Sequence, residues 1–313
     1  MLLSVIVITY NHEKYLEQSL KSILNQKTKF PIEILVGNDC STDNTELVLE
    51  KYRNNSNITV YNRRNNLGAT KNLVDLINRA QGKYIALLEG DDFWIDNYKL
   101  QKQVDYLEKH PDCNSISHAH IKVNENNEKL DEYRTSNCET DFFLKDLQKK
   151  YWLYQTATLV FRYDQGVDFS KIAELHPLIG DITLSCLLLK NGKMHYFPEV
   201  MSAYRTVQKN NKSASGKIAA NMKNEYLNIL SLYSGIEENI LYKGALFNHS
   251  AIRVKEFISK YYLTECITKK DYREFMKHIQ IKVKIYGYIL AFCAGMNREI
   301  RIIKQKIKNN LRI

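Results

Sequence analysis

The chain has 313 residues, 44% of them hydrophobic, and its 45 Lys and Arg against 35 Asp and Glu give a net charge of +10. This length fits one large domain or two ordinary ones, and the positive charge favours anionic partners. The six cysteines lack CxxC or metal-ligand spacing, so we expect reduced thiols in a cytoplasmic protein. We predict neither a signal peptide nor a membrane span, because the apolar stretch Ile285 to Met296 is well short of the ~20 residues required.

The first 120 residues alternate between apolar runs and segments with helical spacing. The predicted strands are Leu3 to Ile8, Ile32 to Val36, Ile58 to Tyr61, Tyr84 to Leu88 and Ser115 to Val123. The predicted helices are Glu13 to Leu24, a helix capped by residues 41–43 and ending at Tyr52, Ala69 to Ala80, and Asn97 to His110. This alternation predicts a mostly parallel α/β sheet with helices on both faces. Ligands of such sheets bind at the carboxyl ends of the strands.

The chain is less regular after residue 123. Residues 124–129 predict a loop, residues 156–161 a strand and residues 181–190 a helix. From about residue 217 the pattern is helical and basic, so we expect a domain of residues 1–215 and a C-terminal helical region of residues 216–313.

Three acids crowd the end of the fourth predicted strand, in the segment Glu89-Gly90-Asp91-Asp92. Carboxylates this close repel one another, and a cation such as Mg²⁺ or Mn²⁺ removes that penalty while it keeps positions open for substrate phosphates. The alternative is a solvated acidic turn with a helix N-cap. These four residues alone leave both interpretations open.

Polar residues also follow the other predicted strands. Thr9-Tyr10-Asn11 follows the first, Asn38 to Asp43 the second, and Asn65 to Asn72 the third. Tyr10 has the chemistry to stack on a base, the Asp39 carboxylate to accept a hydrogen bond from a base N–H, and Lys71 to neutralise phosphate. Asp43 is better interpreted as a turn or N-cap residue. Together these segments predict a nucleotide pocket closed by a metal.

These motifs resemble those of family 2 glycosyltransferases, clearly over residues 1–120 and more loosely over residues 121–207. That family has the GT-A fold, a Rossmann-like, mostly parallel sheet flanked by helices, and uses a nucleotide-sugar, usually a UDP-sugar. The resemblance makes residues 1–120 the nucleotide-sugar-binding half and residues 121–215 the acceptor half. By position, it implies nucleotide-sugar binding by Thr9, Tyr10, Asn11, Asp39, Lys71, Glu89, Gly90, Asp91 and Asp92. Asp91 would contact the metal, Mn²⁺ or Mg²⁺.

The sequence departs from the family pattern at two acids, because Asn38 and Glu89 stand where Asp is common. Both keep hydrogen-bonding capacity, so we expect altered fit and retained binding. The segment ending in Tyr204-Arg205 resembles one in which a His often follows two residues later. This chain has Val207 there, so we expect no metal ligand at that position. Arg205 is interpreted either as a diphosphate contact or as a surface residue.

An inverting transfer requires a carboxylate that takes the proton of the acceptor hydroxyl. The segment His176 to Leu184 is similar to the family segment that supplies this base, which implies Asp181. The alternative for Asp181 is a cap or first-turn acid of the predicted helix.

Aromatic and imidazole side chains are weaker candidates for the acceptor cleft. Trp94 lies just past the acids and is assigned either to the acceptor or to packing, whereas Trp152 has no motif beside it and is assigned to the core. His118 and His120 share one face of a predicted strand. They line the acceptor cleft or are hydrogen-bonded near the core.

Residues 282–313 carry eight basic residues against one acid, with isoleucine and leucine at helical spacing among them. This pattern predicts an amphipathic helix on an anionic membrane surface. A helix packed on the catalytic domain or on a dimer partner is the alternative. Nucleic acid is not expected, because no binding motif accompanies the charge.

The sequence therefore predicts a hexosyl- or N-acetylhexosaminyltransferase that builds a surface polysaccharide or glycolipid on the inner face of the cell membrane. Its acceptor would be a glycan or a lipid-linked glycan. A sugar nucleotidyltransferase is disfavoured, because no Gly-rich phosphate loop follows the first strand, and a dehydrogenase because GxGxxG is absent. A nucleotide-sugar-binding module that has lost turnover is the alternative from another class of protein.

Overall fold

The computed structural model describes residues 2–147, 153–176, 179–190, 192–206, 232–233 and 235–241. The chain forms two compact units, Met1–Ala214 and Ser215–Ile313. In the second unit, residues 232–233 and 235–239 are helical, and the predicted basic helix of residues 282–313 lies outside the described residues. None of the described helices combines the length and the apolar character that a bilayer crossing requires.

The described strands of the first unit form one mixed sheet in the order β3-β2-β1-β4-β9-β6-β10-β5, and β7 and β8 pair with β6 and β10. The strands are β1 (Leu3–Thr9), β2 (Ile32–Asn38), β3 (Ile58–Asn62), β4 (Tyr84–Glu89), β5 (Phe93–Trp94), β6 (Cys113–Val123), β7 (Lys129–Tyr133), β8 (Thr140–Phe142), β9 (Val160–Arg162) and β10 (Lys193–Arg205). β1 is parallel to β2 and β4, and β6 is parallel to β10. The short strand β9 is antiparallel to both β4 and β6. The expected α/β class is confirmed.

Helices cover this sheet because its central strands are apolar on both faces. Val5, Ile6 and Val7 of β1 are all buried, which a sheet with one solvated face would not permit. The helices are α1 (Leu16–Leu24), α2 (Thr45–Glu50), α3 (Ala69–Arg79), α4 (Lys99–Lys109), α5 (Leu144–Leu147), α6 (Lys171–Leu175) and α7 (Asp181–Leu189). On α1, Leu16 and Leu20 are fully buried at the predicted helical spacing, and each contributes about 1.5–3 kcal/mol by leaving water.

Several element boundaries differ from those predicted. α1 begins at Leu16, because the backbone N–H groups of Tyr15 and Leu16 both donate to the His12 carbonyl oxygen in a turn. Residues 156–158 form a 3₁₀ turn, and the strand begins only at Val160. Residues 124–128 are the connection of a β6–β7 hairpin. Four strands have no counterpart among the predicted elements: β5 and β8 are short, β7 is polar, and β10 is interrupted by Pro198.

The direction of the strands decides where the polar motifs lie. β1, β2 and β4 are mutually parallel, and β4 and β6 point the same way because each is antiparallel to β9. The carboxyl ends of β1, β2, β4, β6 and β10 therefore share one edge of the sheet. Thr9, Asn38, Glu89 and Arg205 are the last residues of four of these strands, so the motifs that they end are neighbours in space.

Candidate active site

The turn after β1 is tied to the loop after β2. Asn11 adopts a left-handed backbone conformation (φ 59°) that asparagine tolerates better than most residues. Its side-chain oxygen accepts a hydrogen bond from the Thr42 backbone N–H at 2.7 Å, and its own N–H donates to Ser41 Oγ at 3.0 Å. Thr9 is buried and Tyr10 is half-buried. Asn11 thus joins the turn after β1 to the loop after β2, the two segments predicted to bind the nucleotide.

Asp39 holds the third loop of the same edge. Its two carboxylate oxygens accept hydrogen bonds from the backbone N–H groups of Leu67 and Gly68, at 2.7 and 2.9 Å. Gly68 has a φ of 85° that a side chain would strain, and it directly precedes α3. Lys71, in the first turn of α3, is exposed to solvent. Asp39 therefore fixes the loop between β3 and α3, and contact of its carboxylate with a base would use the remaining lone pairs of the two oxygens.

The acids after β4 occupy three different environments. Asp91 is open to solvent, with 26% of its side chain exposed, whereas Asp92 is buried. The Glu89 carboxyl is desolvated, and burial together with the charges of Asp91 and Asp181 raises its pKa to about 8. The raised pKa values favour the protonated forms of Glu89 and Asp92 when no cation is bound, whereas Asp91 is partly exposed and able to present its carboxylate to a ligand from solution.

Asp92 belongs to the framework of the site. It accepts hydrogen bonds from the Arg205 backbone N–H at 2.8 Å and from Gln155 Nε2 at 2.9 Å. Burial and the neighbouring charges of Asp91 and Glu89 raise its pKa well above the usual range. Its bonds join the loop after β4 to the end of β10. Asp92 therefore anchors the loop that carries Asp91.

Arg205 is buried among protein groups, so its interpretation as a surface residue was wrong. Its guanidinium donates to the Asp91 carbonyl oxygen through Nε and to Gln18 Oε1 through Nη2, both at 2.8 Å. The same group lies 4.5 Å from the ring centroid of Tyr15 and 5.3 Å from that of Phe93. With these donors engaged, Arg205 fixes the backbone of Asp91, and the structure offers no support for a direct diphosphate contact.

Asp181 reaches the same site from the opposite half of the unit. It is the first residue of α7, and its Oδ1 accepts the backbone N–H of Ile182 at 2.9 Å. Its charge contributes to the raised pKa of Glu89, and Tyr154 and Gln155, which are adjacent in the chain, bond to Asp181 and to Asp92. The buried Tyr154 hydroxyl donates to the Asp181 carbonyl oxygen at 3.1 Å and holds the start of the helix. Asp181 is thus both a first-turn acid of α7 and a neighbour of the acidic cluster.

Two of the three acceptor candidates are not placed to meet an acceptor. Trp94 is only 4% exposed, its indole N–H donates to the Ala157 carbonyl oxygen at 2.8 Å, and Lys99 Nζ lies 4.2 Å from its ring centroid. The acceptor role of Trp94 was wrong, because its polar and apolar faces are both used in packing. His118 is 2% exposed, so a place in an open cleft was also wrong for it. Trp152 lies outside the described residues.

His120 remains a candidate for the acceptor side. It is half-buried, and its ring stacks on Tyr133 with centroids 5.4 Å apart. Tyr204 meets the same ring edge-on at 6.4 Å. Desolvation lowers the pKa of His120 to about 4, so the imidazole is neutral at physiological pH.

Three side chains that support the site went unnoticed in the sequence. Gln155 holds Asp92, and the fully buried amine of Lys99 donates to Gln103 Oε1 at 2.8 Å. His12 lies beside Asp91, with Nε2 3.8 Å from Asp91 Oδ2. Only His12 gave a signal, since it directly follows the polar run at the end of β1.

The donor set fits a divalent cation held partly by substrate. Among the described residues, no group of three or more His, Cys, Asp and Glu side chains is arranged to hold a metal ion. Asp91 supplies an accessible carboxylate beside an imidazole, and Mg²⁺ and Mn²⁺ sites of phosphate-using enzymes often take one or two protein ligands and complete their shell with phosphate oxygens and water. The residues present are therefore suited to a cation that arrives with a diphosphate.

The sequence and the fold together define the class of protein. The model of the family described as Glycosyl transferase family 2 matches residues 4–167, more than half of the chain. The chain belongs to glycosyltransferase family 2, and the resemblance carried by the strand-end motifs is confirmed.

Relatives by sequence and by structure agree with this assignment. An uncharacterised protein of Mycobacterium tuberculosis is 32% identical over 205 residues, which are 65% of this chain and 58% of that protein. The poly(ribitol-phosphate) β-N-acetylglucosaminyltransferase TarS of Staphylococcus aureus is 36% identical over 116 residues, 35% of this chain and 19% of TarS. The match thus spans little more than half of the first relative and a fifth of the second.

Solved structures confirm the GT-A fold. TarS residues 1–349, crystallised with UDP-GlcNAc, match with a TM-score of 0.66 at 17% identity over 94% of this chain and 89% of that one. The mannosyltransferase PcManGT of Pyrobaculum calidifontis, in complex with GDP-Man and Mn²⁺, matches with a TM-score of 0.51 at 13% identity over 93% and 86% of the two chains. At these identities the likeness concerns the fold alone.

Proposed function

We propose that this chain is an inverting, metal-dependent glycosyltransferase that moves a hexosyl or N-acetylhexosaminyl group from a nucleotide-sugar, specifically a UDP-sugar, to an acceptor hydroxyl. The observation that carries the proposal is that the adjacent residues Tyr154 and Gln155 bond to Asp181 and to Asp92, which brings the start of α7 to the loop that carries Asp91. The charges of Asp91 and Asp181 also contribute to the raised pKa of Glu89. A framework in which Arg205 and Gln155 fix the acidic loop supports it. Such a concentration of carboxyl groups is costly unless a cation or a proton transfer uses it.

In this mechanism Asp91 and Asp181 have separate tasks. Asp91 would hold the cation that accompanies the donor diphosphate, and Asp181 accepts the proton of the attacking hydroxyl. The acceptor oxygen forms a bond to the anomeric carbon as the bond from that carbon to the diphosphate oxygen breaks, which inverts the configuration. A bound divalent cation supplies electrostatic stabilisation of the negative charge on the departing diphosphate.

The nucleotide is proposed to lie over the loops after β1 and β2. Thr9, Tyr10 and the Asp39 loop line this region, and Lys71 offers a solvent-exposed cation at the start of α3. The UDP-GlcNAc bound to a protein of the same fold, TarS, supports uridine as the base, and Mn²⁺ in PcManGT supports the metal.

The acceptor is proposed to be a glycan or a lipid-linked glycan of a surface polysaccharide or glycolipid. The poly(ribitol-phosphate) acceptor of TarS supports this class, and His120 with Tyr133 and Tyr204 offers aromatic surface for a sugar ring. The basic segment of residues 282–313 supports a cytoplasmic protein bound to the inner face of the membrane.

The test is a donor panel of UDP-, GDP- and dTDP-sugars with Mn²⁺ or Mg²⁺, scored for release of nucleoside diphosphate, together with donor binding on the same samples. We expect release from a UDP-sugar that Asp181→Asn reduces by about 10²–10⁴-fold with donor binding retained. Asp105→Asn, which changes an exposed acid of α4, is the matched control and should leave release unchanged. Metal-linked donor binding without release in the presence of glycan acceptors would favour a binding module, and absence of nucleotide binding would refute the proposal.

A further inference from the structure

His12 is placed beside the predicted metal ligand without being bonded to it. Its Nε2 lies 3.8 Å from Asp91 Oδ2, and the two side chains are 22% and 26% exposed. That distance exceeds the range of a hydrogen bond. The two side chains are neighbours at the carboxyl edge of the sheet, and both are partly exposed.

The ring of His12 is oriented for an interaction through Nε2. Nδ1 lies 3.2 Å from Thr9 Oγ1. In the tautomer that carries its proton on Nδ1, this nitrogen donates to Thr9 Oγ1 and the lone pair is left on Nε2. Metal-binding histidines are held in the same way, with the other ring nitrogen donating to a fixed oxygen. Thr9 is itself buried in β1, so the partner that orients the ring is rigid.

The backbone around His12 is fixed as well. Its N–H donates to Thr45 Oγ1 at 2.9 Å, and its carbonyl oxygen accepts the N–H groups that open α1. On the other side Gly90 leaves the ring room, because a Cβ there would lie 2.8 Å from His12 Nδ1 and 2.7 Å from Thr9 Oγ1. The imidazole is therefore enclosed on the side of Thr9 and Gly90.

We propose that His12 Nε2 is a second protein ligand of the divalent cation held by Asp91. The proposal rests on the metal-dependent transfer proposed above and adds a ligand from the end of β1, on a chain that has Val207 where the family pattern often has His. Adjacent ligands of an octahedral cation with bonds of 2.0–2.1 Å lie about 3 Å apart. The observed 3.8 Å closes to that value by a side-chain movement of less than ~1 Å.

A nitrogen ligand also predicts metal preference. Imidazole suits Mn²⁺ and the later divalent metals better than Mg²⁺, which prefers oxygen. We expect wild-type protein to favour Mn²⁺ over Mg²⁺ when UDP is present. His12→Ala and His12→Asn should narrow that preference and weaken Mn²⁺ binding by about tenfold or more, since even residues that only orient a metal ligand commonly contribute 10–100-fold.

The direct test is electron spin echo envelope modulation of Mn²⁺ bound with UDP to untagged protein labelled with ¹⁵N-histidine. A directly bound histidine nitrogen gives ¹⁵N modulation in the wild type, and the proposal expects its loss in His12→Ala and His12→Asn. His110→Ala is the control, because this histidine stacks on Tyr106 in α4 and lies away from the acids. Near-ultraviolet circular dichroism reports whether each variant is folded.

The outcomes separate this inference from the function on which it rests. Mn²⁺ that binds with UDP and is lost in Asp91→Asn, but gives no histidine modulation in the wild type, would overturn the role of His12 and leave the proposed function intact. Modulation that persists in folded His12→Ala would overturn it equally. If wild-type protein binds no Mn²⁺ with UDP, both proposals are wrong.

Discussion

Arg205 provides the sharpest test of the framework, because the sequence and the structure assign it different roles. The structure engages its guanidinium with the Asp91 carbonyl oxygen and Gln18 Oε1, both at 2.8 Å, and stacks it between Tyr15 and Phe93. Truncation by Arg205→Ala removes these contacts and the longer ones from Nη1 to the Asn124 and Glu125 carbonyl oxygens, so four acceptors lose their donor. The bond from the Arg205 backbone N–H to Asp92 is retained.

The expected loss follows from these contacts. Hydrogen bonds from a charged donor contribute about 1.5–3 kcal/mol each, and the stacking of a cation on aromatic rings contributes roughly 0.5–2 kcal/mol. Release of the guanidinium from a desolvated position offsets part of this sum. We expect Arg205→Ala to lower the free energy of unfolding by about 3–4 kcal/mol, which is a fall of roughly 10 °C in Tm for a unit of this size. Arg205→Lys keeps the charge but lacks the planar guanidinium. Its free energy of unfolding should therefore lie between those of the wild type and Arg205→Ala.

Urea unfolding followed by tryptophan fluorescence measures this loss, since both tryptophans belong to residues 1–214. Arg53→Ala is the matched control: its side chain is 78% exposed and pairs with Glu50 on the surface, so a change within about 0.5 kcal/mol is expected. If Arg205→Ala unfolds within ~1 kcal/mol of wild type and instead loses donor affinity, Arg205 contacts the diphosphate and the structural role is wrong.

Three further predictions concern the loops and the core. Asp39→Asn replaces one acceptor oxygen with an amide nitrogen that cannot accept the Gly68 N–H, and should lower the free energy of unfolding in urea by about 1–3 kcal/mol. Equal stability of the variant and the wild type would contradict the role of Asp39 in fixing the loop. Gly90→Ala places a Cβ 2.7 Å from Thr9 Oγ1 and should lower stability by about 1–3 kcal/mol, with an unchanged Tm contradicting the close packing. Burial lowers the pKa of Lys99 in the folded chain well below the 10.5 expected for the unfolded chain. Between these two pKa values the unfolded chain binds more protons, so the stability of the wild type rises with pH. Lys99→Met should lack this increment as the pH rises towards 10.5, and parallel pH profiles of the variant and the wild type would contradict it.

The sequence carries the part of the fold that depends on local pattern. The apolar run of β1 and the helical face of α1 depend on spacing alone, and both were predicted to within a few residues. The gathering of Thr9, Asp39 and Glu89 also follows from pattern, because parallel strands bring their carboxyl ends to one edge. This is why the strand-end motifs led to the right family.

The remainder depends on contacts between distant parts of the chain. Trp94 pairs its indole N–H with Ala157, 63 residues away, and Arg205 meets Gln18 across 187 residues. Spacing along the chain does not reveal such contacts, so the sequence left Trp94 between the acceptor and packing, and Arg205 between the diphosphate and the surface. A strand of two residues, such as β5, likewise has no periodicity to detect.

The most direct test of a metal-dependent nucleotide-sugar site is calorimetric titration of UDP with and without Mn²⁺, on wild-type protein and Asp91→Asn. If Asp91 holds the cation, Mn²⁺ strengthens UDP binding to the wild type by tenfold or more, on the order of 1.4 kcal/mol. Asp91→Asn is expected to abolish this gain in affinity. UDP binding that Mn²⁺ leaves unchanged, or a gain that survives in Asp91→Asn, would contradict the placement of the cation at Asp91 and the mechanism built on it.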